Sequence, residues 1–183
     1  MNKQRYFLAL LLFVYFALCT MSVSLAAPIV WDEGIDGDLN SSMVFDFDEG
    51  LNVFTGSIFY DTSGEASLND ADGLSFNIAS GDQLNSITFS LLELIYNDDN
   101  DNGSGTAYAT YELRLSNWDI LDLQAVFFDG YIDPVPLFDP SLPLLEGNYR
   151  FGNGIGIETG DSWYADYQLV FDVTGSGSNT PVP

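Results

Sequence analysis

An antiparallel β-sandwich or jelly roll of about seven or eight strands is the fold class this sequence predicts. Three observations carry the prediction. Apolar residues recur at every second position over short stretches, the period of a strand with one buried face. Clusters of Gly, Asp, Asn and Ser separate those stretches at sandwich-like spacing. No long amphipathic helix can be drawn anywhere.

Taken in order, the chain opens with an export signal. Met1 to Arg5 is a short basic segment, Tyr6 to Leu18 is apolar, and Ser22 to Ala27 is rich in small residues. The apolar run is shorter than the roughly 20 residues a membrane span needs, so cleavage after Ala26 is expected. Residues 27–43 then read as an N-terminal extension, 44–174 as the sandwich, and 175–183 as a flexible Gly/Ser/Pro tail.

Within the sandwich, Met43 to Asp48 and Val53 to Tyr60 are the first expected strands. Leu74, Phe76 and Ile78 alternate with Ser75 and Asn77, and Ile87, Phe89, Leu91 and Ile95 share a face against Ser86, Thr88 and Ser90. From Thr106 to Leu115 the residues Ala107, Ala109, Tyr111, Leu113 and Leu115 point inward, with Thr110, Glu112 and Arg114 outward. Ala125 to Phe128 and Asn148 to Gly152 follow. The clearest strand is last, with Ala165, Tyr167, Leu169, Phe171 and Val173 on one face. A scrap of helix is expected near Trp118 to Leu123. The proline-rich segment Asp133 to Leu145 reads as a long surface loop.

Charge bounds the function. Beyond the export signal only Arg114 and Arg150 are basic, against 27 acidic residues, a net charge of −25. His is absent from the whole chain, and Lys3 and Cys19 are the sole Lys and Cys. The exported part therefore has no His base, no Lys Schiff base and no Cys nucleophile, which argues against an enzyme. Nucleic acid is excluded as a partner because its phosphates would be repelled. Without a disulfide, packing or bound ions must hold the fold.

Three sets of residues could carry chemistry. In Asn97 to Gly103, Asp98, Asn100 and Asn102 place oxygens at alternate positions before a Gly, and Asp101 adds another carboxylate, as a calcium loop requires. The twelfth position of that loop is Ala109, so the bidentate Glu of an EF-hand is missing. Asp70 and Asp72 form a second, shorter candidate metal site. Trp118, Trp163 and Tyr164 could offer aromatic faces to a sugar, with Trp163 and Tyr164 expected to be partly exposed before the last strand. With 27 acids some carboxylate pair would fall within reach on any fold, so glycoside hydrolysis gains nothing from abundance.

Two segments carry a family resemblance. Asp70 to Gly81 (DADGLSFNIASG) resembles the opening of bacterial pre-peptidase C-terminal (PPC-like) β-sandwich domains. Leu145 to Phe151 (LEGNYRF) with Tyr167 to Phe171 (YQLVF) is similar to their closing strand pair. The run into Pro181-Val182-Pro183 resembles the approach to the sorting tail of PEP-CTERM surface proteins, without its Glu, apolar span or Arg cluster. The resemblance implies a secreted, non-catalytic protein of the bacterial envelope or matrix, periplasmic or at the cell surface, and the departure from the sorting-tail pattern leads to the expectation of no stable membrane anchor in this chain. Calcium is the cofactor its loops would take. An adhesive or structural role toward extracellular polysaccharide or other envelope proteins is the expected function, with a carbohydrate-binding module as the alternative.

Overall fold

Two β-sheets pack face to face around one aromatic core, and period-two alternation decides which side of each strand enters it. The computed structural model describes residues 27–61, 68–69, 72–97, 107–128, 134–157 and 162–175. Among them the strands are β1 (Val30–Asp32), β2 (Val44–Phe47), β3 (Gly50–Asp61), β4 (Leu68–Asn69), β5 (Gly73–Ile78), β6 (Asp82–Asn97), β7 (Ala107–Leu115), β8 (Ile120–Phe128), β9 (Val135–Leu137), β10 (Gly147–Ile157) and β11 (Ser162–Gly175). One short helix, α1 (Glu33–Asp36), follows β1. The first sheet runs β1-β3-β11-β6-β9, with β4 beside β3, and the second runs β2-β5-β10-β7-β8.

β11 lies at the centre of the first sheet. Its inward residues Ala165, Tyr167, Leu169, Phe171 and Val173 are each at most 1% exposed, as the alternation predicts. Phe171 is the hub between the layers. Its ring lies 5.0–5.6 Å from those of Phe47, Phe76 and Phe151 in the second sheet. Offset and edge-on aromatic pairs of this kind add about 0.5–1.5 kcal/mol each beyond the area they bury.

The all-β sandwich is what the sequence predicts, and the differences lie in direction and phase. β1 runs parallel to β3 and β2 parallel to β5, so both sheets are mixed. Alternation has the same period in either direction, so it carries no information about this. Residues 27–43 are part of the sandwich instead of an extension: β1 joins one sheet, and the chain then crosses to the other through α1 and Leu39, which is 1% exposed. Ile95 is 44% exposed, because a register shift between Tyr167↔Leu91 and Asp166↔Glu93 leaves Leu92 unmatched and turns the rest of β6 over. Leu94 becomes the inward residue there.

The expected helical scrap at Trp118 to Leu123 is a tight turn leading into β8. The proline-rich stretch is not a plain loop either. β9 pairs with β6 at the sheet edge, where Pro136 can sit in a strand whose other side needs no amide donor. Leu137, Phe138 and Leu144 anchor that segment in the core. Among the described residues no helix is long and apolar enough to cross a membrane.

Candidate functional site

The two arginines beyond residue 26 meet on one rung of the second sheet, where Arg150 of β10 is directly opposite Arg114 of β7. Their neighbours Tyr149, Phe151 and Leu113 are buried, so strand alternation puts both arginines on the outer face. Like charges opposite one another in a sheet are destabilising, and the two are handled differently. Arg114 forms an ion pair with Glu112, its Nε donating to Oε2 at 2.7 Å, and its Nη1 donates to the Trp118 carbonyl at 3.0 Å. Arg150 has no carboxylate partner among the described residues. Its guanidinium lies 4.0 Å from the centre of the Trp118 ring.

Trp118 is held in an unusual conformation for that stacking. Its φ is 75°, in the left-handed region that bulky residues avoid. The turn is tied on both sides: the Trp118 amide donates to the Leu115 carbonyl at 3.0 Å, and the Leu115 amide to the Asp119 carbonyl at 2.9 Å. The ring remains 57% exposed.

Beside this stack is an open pocket of about 320 Å³. Glu112, Arg114, Arg150 and Trp118 form one wall, and Asn40 and Ser41 of the crossing segment form the other. Gly73 and Gly152, side by side on the next rung, make the floor. A Cβ on Gly152 would meet only the Asp72 carbonyl oxygen, at 3.9 Å, so the missing side chain keeps the floor low.

Asp72, which also lines the pocket, belongs to a second constellation. Carboxylate oxygens of Glu33, Asp38 and Asp72 lie within 4.8 Å of one another. Glu33 is fixed by two backbone donors: the Leu39 amide reaches Oε1 and the Ser57 amide Oε2, both at 2.8 Å. Asp72 is 5% exposed and accepts from the Tyr167 hydroxyl at 2.6 Å. Gly56 makes room for this arrangement, since a Cβ there would fall 2.6 Å from Glu33 Oε2 and 2.7 Å from the Tyr167 hydroxyl.

The Tyr111 hydroxyl is wholly buried and has no hydrogen-bond partner among the described residues. Burial pushes Tyr111 and Tyr167 well above the ordinary tyrosine value of 10, and the Asp72 charge pushes both further. Glu33, Asp38 and Asp72 are oxygen donors of the kind a hard cation takes.

The residues singled out from sequence are thus distributed unevenly. Asp70, Asp98, Asn100, Asp101 and Asn102 lie outside the described residues. Asp72 stands with Glu33 and Asp38, which the sequence reading passed over as part of an extension. Trp118 is exposed at the pocket. Trp163 is 2% exposed and packs in the core, so it presents no ring face to solvent. Tyr164 is half-buried, and its hydroxyl donates to Asp166, the contact that does most to raise the tyrosine above its ordinary value. The rung shared by Arg114 and Arg150 was the missed signal: two cations spread over an acidic chain are unremarkable until pairing makes them neighbours.

A comparison with models of known protein families finds no match, and a comparison with curated proteins finds none either.

Proposed function

We propose that this chain is an exported, non-catalytic β-sandwich that works by adhesion, holding an extracellular polysaccharide at the pocket beside Trp118. The observation that carries the reading is Trp118 itself. A large aromatic ring is left 57% exposed, on a backbone strained to φ 75°, beside a pocket. Strain of about 1–3 kcal/mol persists where the surroundings impose it, and such residues cluster at ligand sites. Sugars present apolar C–H faces that stack on indole, and the Asn40 and Ser41 side chains supply donors and acceptors for ring hydroxyls. The absence of His, Lys and Cys outside the export signal supports binding over catalysis.

Retention of the purified chain on a panel of immobilised polysaccharides tests this. Retention on at least one, lost in Trp118→Ala with folding intact, is the expected result. No retention on any of them defeats the reading.

A structural calcium ion is a second reading, and one feature favours the Glu33–Asp38–Asp72 cluster as its place. The Tyr111 hydroxyl, buried without a hydrogen-bond partner among the described residues, lies within the field of Asp72. A divalent ion there would offset the mutual repulsion of three carboxylates whose oxygens lie within 4.8 Å of one another.

A further inference from the structure

The chemistry of the wall narrows the ligand. We infer that the sugar taken by this pocket carries a carboxylate and that Arg150 reads it; the inference rests on the glycan reading above.

Arg150 is the starting point. In a chain with 27 acidic residues, a guanidinium is easily paired, and Arg114 is paired with Glu112. Arg150 instead sets its guanidinium carbon over the Trp118 ring, 4.0 Å from the ring centre. Stacking occupies the π face of a guanidinium and leaves its N–H donors pointing outward in the plane. Those in-plane donors match the two oxygens of a carboxylate, which they bind in a bidentate fork. Arg150 lines the pocket together with the exposed indole, so a ring stacked on Trp118 could set a substituent carboxylate against the fork.

Charge at two ranges sets the class further. Locally the lining holds two carboxylates and two guanidiniums: Glu112 is paired with Arg114, Asp72 is buried and accepts from Tyr167, and Arg150 is the cation without a carboxylate partner among the described residues. At longer range the chain is strongly negative. Physiological salt screens charges beyond about 8 Å, so an isolated carboxylate feels mainly Arg150, while a dense polyanion meets many repelling acids at once. The ligand is therefore a mostly neutral glycan carrying occasional uronate or similar acidic residues. A phosphate-rich polymer does not fit.

The test uses oligosaccharides that each carry one uronate, such as a xylotriose bearing a single glucuronate, each paired with its carboxyl-reduced form. Binding to the purified chain is followed by calorimetry and by indole fluorescence. The expected result is at least tenfold tighter binding of the acid than of its reduced partner, with Arg150→Gln abolishing that preference so that the two forms bind alike. Equal binding of both forms to the unaltered chain overturns the inference and leaves the glycan reading standing. Binding of neither, with the fold intact, overturns both. A short peptide carrying one glutamate that binds as tightly as the uronate also overturns it, because the site would then read carboxylates without reading sugar.

Discussion

The Tyr167 hydroxyl donates to Asp72 Oδ2 at 2.6 Å, joining residues 95 apart in sequence across the two layers of the sandwich. Both groups are buried, so neither finds water as a substitute partner. Removing the hydroxyl leaves a buried carboxylate short of a donor, which costs more than a neutral hydrogen bond. Tyr167→Phe is therefore expected to destabilise the fold by about 2–4 kcal/mol, read as a lower urea midpoint at unchanged slope. Tyr164→Phe is the control. Its hydroxyl meets Asp166 on the half-exposed side of the same strand, and its loss is expected to cost about 1 kcal/mol or less.

Gly56→Ala probes the same network from its other side. The new methyl would fall inside contact distance of both Glu33 Oε2 and the Tyr167 hydroxyl, at 2.6 and 2.7 Å. One of them must move, so a loss of about 1–3 kcal/mol is expected. Equal stability of Gly56→Ala and the parent in urea would show that Glu33 is loosely held.

Alkali provides a readout that this composition makes unusually clean. Beyond residue 26 there is no Lys and no Cys, so tyrosines are the side chains that titrate above pH 9 there. Tyr111 and Tyr167 are held well above 10 by burial and by Asp72, so the folded chain keeps protons that the unfolded chain releases. Their contribution is complete below pH 10 and is lost as the pH rises beyond it. Stability is expected to be flat from pH 8 to 9.5 and then to fall as the pH rises past 10, each tyrosine still protonated in the folded chain adding at most about 1.36 kcal/mol per pH unit to the slope. Tyr167→Phe should make that fall shallower. An unchanged slope would show that Tyr167 keeps an ordinary value.

How much of this was legible depended on whether the signal was local. The inward row of β11 follows directly from alternation, and so do Leu74, Phe76 and Ile78 of β5. Ile95 falls on the wrong face when alternation is carried straight through the Leu91-Leu92 pair, where the register shift changes the phase of β6. Asp72 was noticed as an acidic residue before a strand, but its neighbours Glu33 and Asp38 come from a segment that enters the sheet in parallel. In sequence Trp163 precedes the last strand and Trp118 opens an expected scrap of helix, and both are candidate sugar platforms. Burial separates them, and burial depends on which strands cover which.

Calcium is expected to raise the thermal midpoint through the Glu33–Asp38–Asp72 cluster. At about 100 times the dissociation constant a ligand adds about 2.7 kcal/mol, or about 5–10 °C for a domain of this size. Unfolding in EDTA and in millimolar calcium at constant ionic strength measures the shift. Asp38→Asn should abolish it, and it is the mildest of the three changes because Asp38 is exposed. A shift that survives Asp38→Asn and disappears in Asp98→Asn with Asp101→Asn would place the ion in the Asn97 to Gly103 segment instead. No shift at all would remove calcium from the account.

Trp118 and Trp163 are expected to give opposite signatures when removed. Trp163 is 2% exposed, and Trp163→Ala should cost about 3–5 kcal/mol, the ordinary price of emptying an aromatic site. Trp118→Gly sets two small terms against each other. It loses the Arg150 stacking, about 0.5–1 kcal/mol at an exposed site. It also relieves an L-residue held at φ 75°, where glycine is at ease, and that strain is about 1–3 kcal/mol. Glycine's greater freedom in the unfolded chain takes back about 0.4–1 kcal/mol of the gain. Stability within about 1 kcal/mol of the parent is therefore expected, with polysaccharide retention lost. A residue kept for packing would behave in the reverse way: if Trp118→Gly lost 3 kcal/mol while retention persisted, Trp118 would be a turn anchor and the pocket beside it would have no part in binding.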